Sequence, residues 1–252
     1  MNSIKRIVVF GCSYATGEEL LLHELVELDN YRISTAADPR KFFKRLEKLK
    51  LQGAYEKIKQ RQKLMAWPKL LADKLGYECV NLAESGNSLD KMLFQIYHEL
   101  YNGNISDNDI IIVSVTKATR NAVFNKTVES FQLPSLYWGI NSIMGVTDSG
   151  DTKPVINKKT DQALLEWFSD DRICWDFVKN LQVLQNMNNL YVVPAMSNEL
   201  KTSMPVLIKM YEDCNFLTKK GLDDFTTVQM PWGHPGADAH VKYAEHLYEI
   251  LR

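Results

Sequence analysis

Two short stretches hold residues that could do chemistry together. "RIVVFGCSYATG", residues 6 to 17, runs an apolar segment straight into Gly11, Cys12 and Ser13. "PWGHPGADAH", residues 231 to 240, sets His234 between Gly233 and Pro235, just ahead of a helical pattern. A serine hydroxyl is a poor nucleophile until a base within hydrogen-bond reach takes its proton. It also needs donors aimed at the oxyanion that forms on the attacked carbonyl. Ser13 offers a hydroxyl and its own backbone N–H, and His234, denied regular structure by its neighbours, can present a ring nitrogen to a crevice. "NLAESGNS", residues 81 to 88, offers a second donor at Gly86, where the missing side chain lets a substrate approach the N–H closely.

Other uses of these residues are weaker. A strand-to-helix turn can also cradle an anion, but "GCSYATG" has two glycines and no following lysine, so it lacks the nest and charge of a phosphate loop. His240 and His246 are six residues apart within a helical pattern and share no face, which argues against a two-histidine metal site and reads as packed or exposed helix histidines. The four cysteines (Cys12, Cys79, Cys174, Cys214) have no CxxC pair and no zinc-like spacing. They read as scattered thiols, which favours an intracellular setting.

These residues need a scaffold. "IVVF" (7 to 10), "ECVNLA" (78 to 83), "DIIIVSV" (109 to 115) and "NLYVVPA" (189 to 195) are short apolar runs of the kind covered on both faces. Helical patterns fall at about 17 to 28, 67 to 75, 87 to 101, 161 to 184, 202 to 212 and 236 to 251. Strands alternating with helices imply crossovers and a parallel sheet, with the crevice at the carboxyl ends of the strands. That edge collects Ser13, Gly86, Thr116 to Arg120, Ser197 and Asn198.

The chain has 252 residues, 45% hydrophobic and 24% charged, with a formal net charge of -1. This fits a globular α/β protein and argues against general binding of polyanions by the whole surface. The N-terminal apolar run is too short for a signal peptide, and no segment is apolar enough to span a bilayer, so a cytoplasmic protein is expected. Residues 40 to 63 hold ten Lys or Arg against two Glu. They read either as a basic arm for an anionic partner or as a solvated helix whose Phe42, Phe43, Leu46 and Leu49 pack on the body. The second reading is preferred, and nucleic acid is not expected as a partner. Residues 125 to 160, rich in Gly, Ser, Asn, Pro and aromatics, read as a long loop over the crevice.

The order of these pieces resembles the SGNH, or GDSL-type, hydrolase superfamily. Its first block, a strand leading to Gly-Asp-Ser with a glycine four residues on, is similar to Gly11-Cys12-Ser13 and Gly17. The second block resembles "NLAESGNS", and the last, Asp-x-x-His-Pro before a C-terminal helix, resembles "PWGHPGADAH". The resemblance implies a three-layer α/β/α fold with a mostly parallel central sheet, flavodoxin-like in build. It implies one domain over 1 to 252, with a basic helical insertion at about 30 to 65 and a loop region at about 125 to 160. Ser13 would be the nucleophile, His234 the base and Gly86 an oxyanion donor, with no metal or organic cofactor.

Three positions depart from that pattern. Cys12 stands for the aspartate of Gly-Asp-Ser. Ser114, Val115, Thr116 and Lys117 stand against the usual Gly-x-Asn-Asp, leaving Thr116, Lys117, Thr119 or Arg120 as substitute donors. The aspartate that orients the histidine falls on Pro231, leaving a backbone carbonyl, Asp224 or Asp238 for that role. The implied activity is hydrolysis of a small or carbohydrate-linked acyl ester. Phe131, Tyr137 and Trp138 in the loop, with Trp67 and Trp232 as further lining, favour a carbohydrate ester over a lipid. The alternative is a protein of this fold that has lost the reaction and serves as a binding or structural module. The basic segment and the altered third block are also similar to SGNH-like proteins of large tailed bacteriophages.

Overall fold

The computed structural model describes residues 5–17, 20–21, 54–84, 87–116, 121–123, 135–137, 170–196, 202, 204–227 and 234–252. Its centre is a four-stranded, fully parallel sheet of β1 (Arg6–Phe10), β2 (Glu78–Asn81), β3 (Ile110–Val115) and β6 (Leu190–Pro194), in the order β2-β1-β3-β6. Ile7 lies between Cys79 on one side and Ile110 on the other. A separate antiparallel pair joins β4 (Asn121–Val123) to β5 (Ser135–Tyr137). Residues 135–137 of the segment expected as a loop region over about 125 to 160 therefore form a short strand, and the rest of that segment lies outside the described residues.

Side-chain alternation along β1 explains the layers. Val8 and Phe10 point to one face, where Met92 and Ile96 of α4 (Leu89–Tyr101) meet Phe177, Leu181 and Leu184 of α5 (Asp170–Gln185). Ile7 and Val9 point to the other, against Trp67, Leu71 and Ala72 of α3 (Trp67–Leu75) and Ala239, Tyr243, Ala244 and Leu247 of α7 (Ala237–Leu251). Strands buried on both faces must be apolar throughout, which is why "IVVF" and "IIIV" carry no polar alternation. The architecture is α/β/α in three layers, as the resemblance implies, around the parallel sheet that the alternation of runs predicts. Two further helices are α2 (Ala54–Met65), at the end of the basic segment, and α6 (Pro205–Glu212). The helical pattern expected over 17 to 28 lies almost wholly outside the described residues, as do residues 161 to 169.

Chain direction fixes where a site can form. From β1 the chain crosses through α3 to β2 on one side, then returns through α4 to β3 on the other. The winding reverses between β1 and β3, and in open parallel sheets the crevice opens at the carboxyl ends of such a pair. Those ends carry Ser13 and Thr116. At the opposite end Arg6 holds Asp109 through two hydrogen bonds, Nε to Oδ1 at 2.8 Å and a terminal nitrogen to Oδ2 at 2.6 Å. The guanidinium keeps the Asp109 carboxyl below the usual carboxylate range.

Candidate active site

Past Phe10 the chain turns sharply, and Gly11 is required by crowding. A Cβ there would stand 2.7 Å from Cβ of Ala15 and 3.1 Å from Cβ of Ser114. Ser13 opens a single helical turn, α1 (Ser13–Thr16), after an extended Cys12. The Cys12 carbonyl accepts the N–H groups of Ala15 (3.0 Å) and Thr16 (3.1 Å), and the Thr16 hydroxyl donates to the Ser13 carbonyl at 2.8 Å. Gly17 ends the turn in the left-handed region, φ 71°, and its N–H also reaches the Ser13 carbonyl. As a first-turn residue, Ser13 has no intrahelical acceptor for its own N–H.

Neighbouring elements hold the turn from two sides. Asn81, the last residue of β2, donates its amide to the Ala15 carbonyl at 2.8 Å. Asn87, completely buried, donates to the Gly11 carbonyl at 3.2 Å. Neither asparagine is singled out by the sequence. Asn81 is legible only as a polar residue ending an apolar run, and Asn87 only as the residue after Gly86.

His234 sits where the sequence puts it, before Pro235 and the Gly236 cap of α7. Its ring lies against Tyr14, centroids 5.4 Å apart at 54°, so the imidazole borders the residue following Ser13. Six residues on, His240 is fully buried and takes a structural role, its Nδ1 accepting the Trp67 N–H at 3.1 Å. Burial, then the nearby His234 charge, pushes its pKa down to about 3. His246 pairs its Nε2 with the Thr218 hydroxyl at 2.8 Å. Trp67 has no part in the crevice: it is entirely buried in the core, edge-on to Tyr243, which corrects the expectation that it lines the site.

The remaining candidates divide. Thr116 directly follows β3 and is buried at the same sheet edge as Ser13. Ser114 lies beside Gly11, its Cβ 3.1 Å from where a Cβ on Gly11 would stand, and its hydroxyl is buried without a hydrogen-bond partner among the described residues. Asp224 accepts the Gly221 N–H at 2.7 Å on a short 3-10 turn, Leu222–Phe225. Asp238 takes a hydrogen bond from the Thr227 hydroxyl, which lowers its pKa, and lies 3.7 Å from Lys242. Gly86, Lys117, Thr119, Arg120, Ser197, Asn198, Phe131, Trp138 and Trp232 lie outside the described residues. All four cysteines are free thiols. Among the described residues no cluster of three or more His, Cys, Asp or Glu side chains is placed to hold a metal ion, and no helix is long and apolar enough to cross a membrane.

Neither a protein-family model nor a curated protein matches the chain. Among solved structures it is similar to TesA, with 12% identity, TM-score 0.46 and 98% of each chain covered. It is also similar to a protein described as a putative lipolytic protein of the G-D-S-L family from Desulfitobacterium hafniense DCB-2, with 9% identity, TM-score 0.39 and coverage of 98% and 99%. A third likeness is to a carbohydrate esterase whose active site is described as having divergent catalytic and non-catalytic binding functions. There the identity is 15% and the TM-score 0.44, over 98% of this chain and 68% of that one. At such scores these likenesses fix neither fold nor chemistry, which rest on this chain's own residues.

Proposed function

We propose that this chain is a serine-dependent ester hydrolase of the SGNH type, acting by acyl transfer. One observation carries the reading: the His234 ring lies against that of Tyr14, the residue after Ser13, at the carboxyl edge of the parallel sheet where the winding reverses. Ser13 attacks the ester carbonyl and passes its proton to His234, which returns it to the leaving alcohol. The N–H groups of Ser13 and Gly86 face the oxyanion, with Thr116 as a third donor in place of the missing asparagine. Water, activated by the same imidazole, then releases the acid from the acyl-enzyme. Asp224, Asp238 or a backbone carbonyl orients the histidine. The reading needs no metal or organic cofactor.

The proposed substrate is a small or carbohydrate-linked acyl ester. The polar, aromatic-bearing segment 125 to 160 supports a sugar ester over a lipid one. The test is hydrolysis of p-nitrophenyl acetate by wild type, Ser13→Ala and His234→Ala, followed by acetylated sugars. Loss of turnover in both variants supports the dyad. A folded wild type no faster than its alanine variants overturns the reading and leaves a binding module on the same scaffold.

A further inference from the structure

We infer that Asn87 is a positioning residue for the nucleophile, kept in orientation by a relay through Gln95, Glu84 and Lys91. The inference rests on the hydrolase reading for its kinetic consequence, though not for its geometry.

The Gly11 carbonyl, two residues ahead of Ser13, accepts two hydrogen bonds. One comes from the Glu84 N–H at 3.0 Å and extends the β1–β2 ladder, in which Leu82 N–H already reaches Val9 O at 2.8 Å. The other comes from the Asn87 amide nitrogen at 3.2 Å. The second N–H of that amide donates to Gln95 Oε1 at 2.8 Å, and the Gln95 amide nitrogen donates to Glu84 Oε1 at 2.8 Å. Lys91 closes the chain by donating to Glu84 Oε2 at 2.6 Å.

Each link sets the polarity of the next. An ionised Glu84 only accepts, so Gln95 must turn its nitrogen toward it and its oxygen toward Asn87. Asn87 must then present nitrogen to both Gln95 and Gly11. Flipping it would oppose oxygen to oxygen twice. The lysine-carboxylate pair at the rim thereby dictates which end of a fully buried amide faces the nucleophile turn.

The cost side of Asn87 is informative. Its Oδ1 is buried with no hydrogen-bond partner among the described residues, an arrangement that an apolar residue of similar volume would avoid. Glu84 and Asn87 flank residues 85 and 86, and the Asn87 N–H returns to the Glu84 carbonyl at 3.2 Å. The amide therefore ties the turn bearing Ser13 to the chain that follows β2. Misplacement of a reacting group by about 1 Å can cost about a hundredfold in rate.

Three variants test this. Asn87→Asp replaces both donors with acceptors at constant size, Gln95→Met removes the relay with an apolar side chain of similar size, and Lys91→Met removes only the orienting charge near the surface. With p-nitrophenyl acetate, Asn87→Asp and Gln95→Met should lower kcat about 10- to 100-fold and leave KM within about twofold. Lys91→Met should lower kcat by a few fold. Amide hydrogen exchange read in parallel should accelerate over residues 11–17 and stay unchanged over α7. Unchanged kcat, unchanged exchange at 11–17, or equal acceleration in α7 overturns the inference, the last by showing a general loss of stability. Should Asn87→Asp not fold, Gln95→Met and Lys91→Met decide. Should the wild type show no Ser13-dependent turnover, the hydrolase reading falls and the exchange arm alone decides the positioning role.

Discussion

Mild acid should destabilise this protein chiefly through His240. Its Nδ1 accepts the Trp67 N–H at 3.1 Å in a site only 1% exposed. A proton there would face a donor and bury a charge. Burial is the main cause of the shift from 6.5 to about 3, the neighbouring His234 adds to it, and Asp238 opposes it. The unfolded chain takes up the proton near pH 6.5 while the folded chain refuses it until about pH 3. Stability is thus complete above pH 6.5 and declines as the pH falls toward 3. At about 1.4 kcal/mol per pH unit, roughly 2 kcal/mol is gone by pH 5 and about 4–5 kcal/mol by pH 3. Against a typical total of about 5–15 kcal/mol that is a large share.

Urea unfolding followed by tryptophan fluorescence at pH 7.5, 6.5, 5.5 and 5.0 reads the effect directly. His240→Gln keeps an acceptor for Trp67 and does not titrate. Its stability should fall with pH less steeply than the wild type's, by about 1 kcal/mol per unit below pH 6. His246, whose pKa is also lowered by burial, contributes equally to both proteins and cancels in the difference. Parallel slopes in the two proteins would refute the assignment of the proton to His240.

Gly17→Ala should destabilise by about 2–4 kcal/mol in denaturant titration, combining a left-handed φ of 71° with a Cβ 2.9 Å from both the Gln62 carbonyl and Ala66 Cβ. Gly11→Ala should cost about 1–3 kcal/mol by the same titration, because its Cβ would overlap Ala15 Cβ at 2.7 Å. In Tyr243→Phe the buried hydroxyl that donates to the Pro194 carbonyl at 3.0 Å is lost, and a drop of about 1 kcal/mol in thermal or urea unfolding is expected. Asp109→Ala should cost about 2–3 kcal/mol, since Arg6 and the Ser106 N–H and hydroxyl lose their shared carboxylate.

What the sequence shows is set by periodicity and what it hides is set by pairing. Apolar runs announced β1, β2, β3 and β6 to within two residues; they are clearest in the central β1 and β3, because a strand covered on both faces has no polar face to show, whereas the edge strand β2 includes Glu78 and Asn81. Ser13 and His234 were legible for a different reason: each is flanked by small or helix-breaking residues that mark a turn. The β4–β5 pair was missed because a three-residue strand in a polar stretch leaves no periodic trace. Trp67 was ambiguous because a tryptophan before a proline reads equally well as rim or core, and only its burial beside Tyr243 decides. The Asn87 relay was invisible as a unit. Its one local sign is Gln95, a polar residue on the buried stripe of α4 between Met92 and Ile96.

The all-parallel order of the sheet also sets a timetable during synthesis. β1 is made early, yet its partner on one side, Glu78 to Asn81, and on the other, Ile110 to Val113, are made only later. At ribosomal rates of about 5–20 residues per second, Ser13 waits on the order of ten seconds for a complete sheet edge. His234 is made 221 residues after Ser13. On the hydrolase reading, a nascent chain carries its nucleophile through that whole interval without the base that would make it reactive.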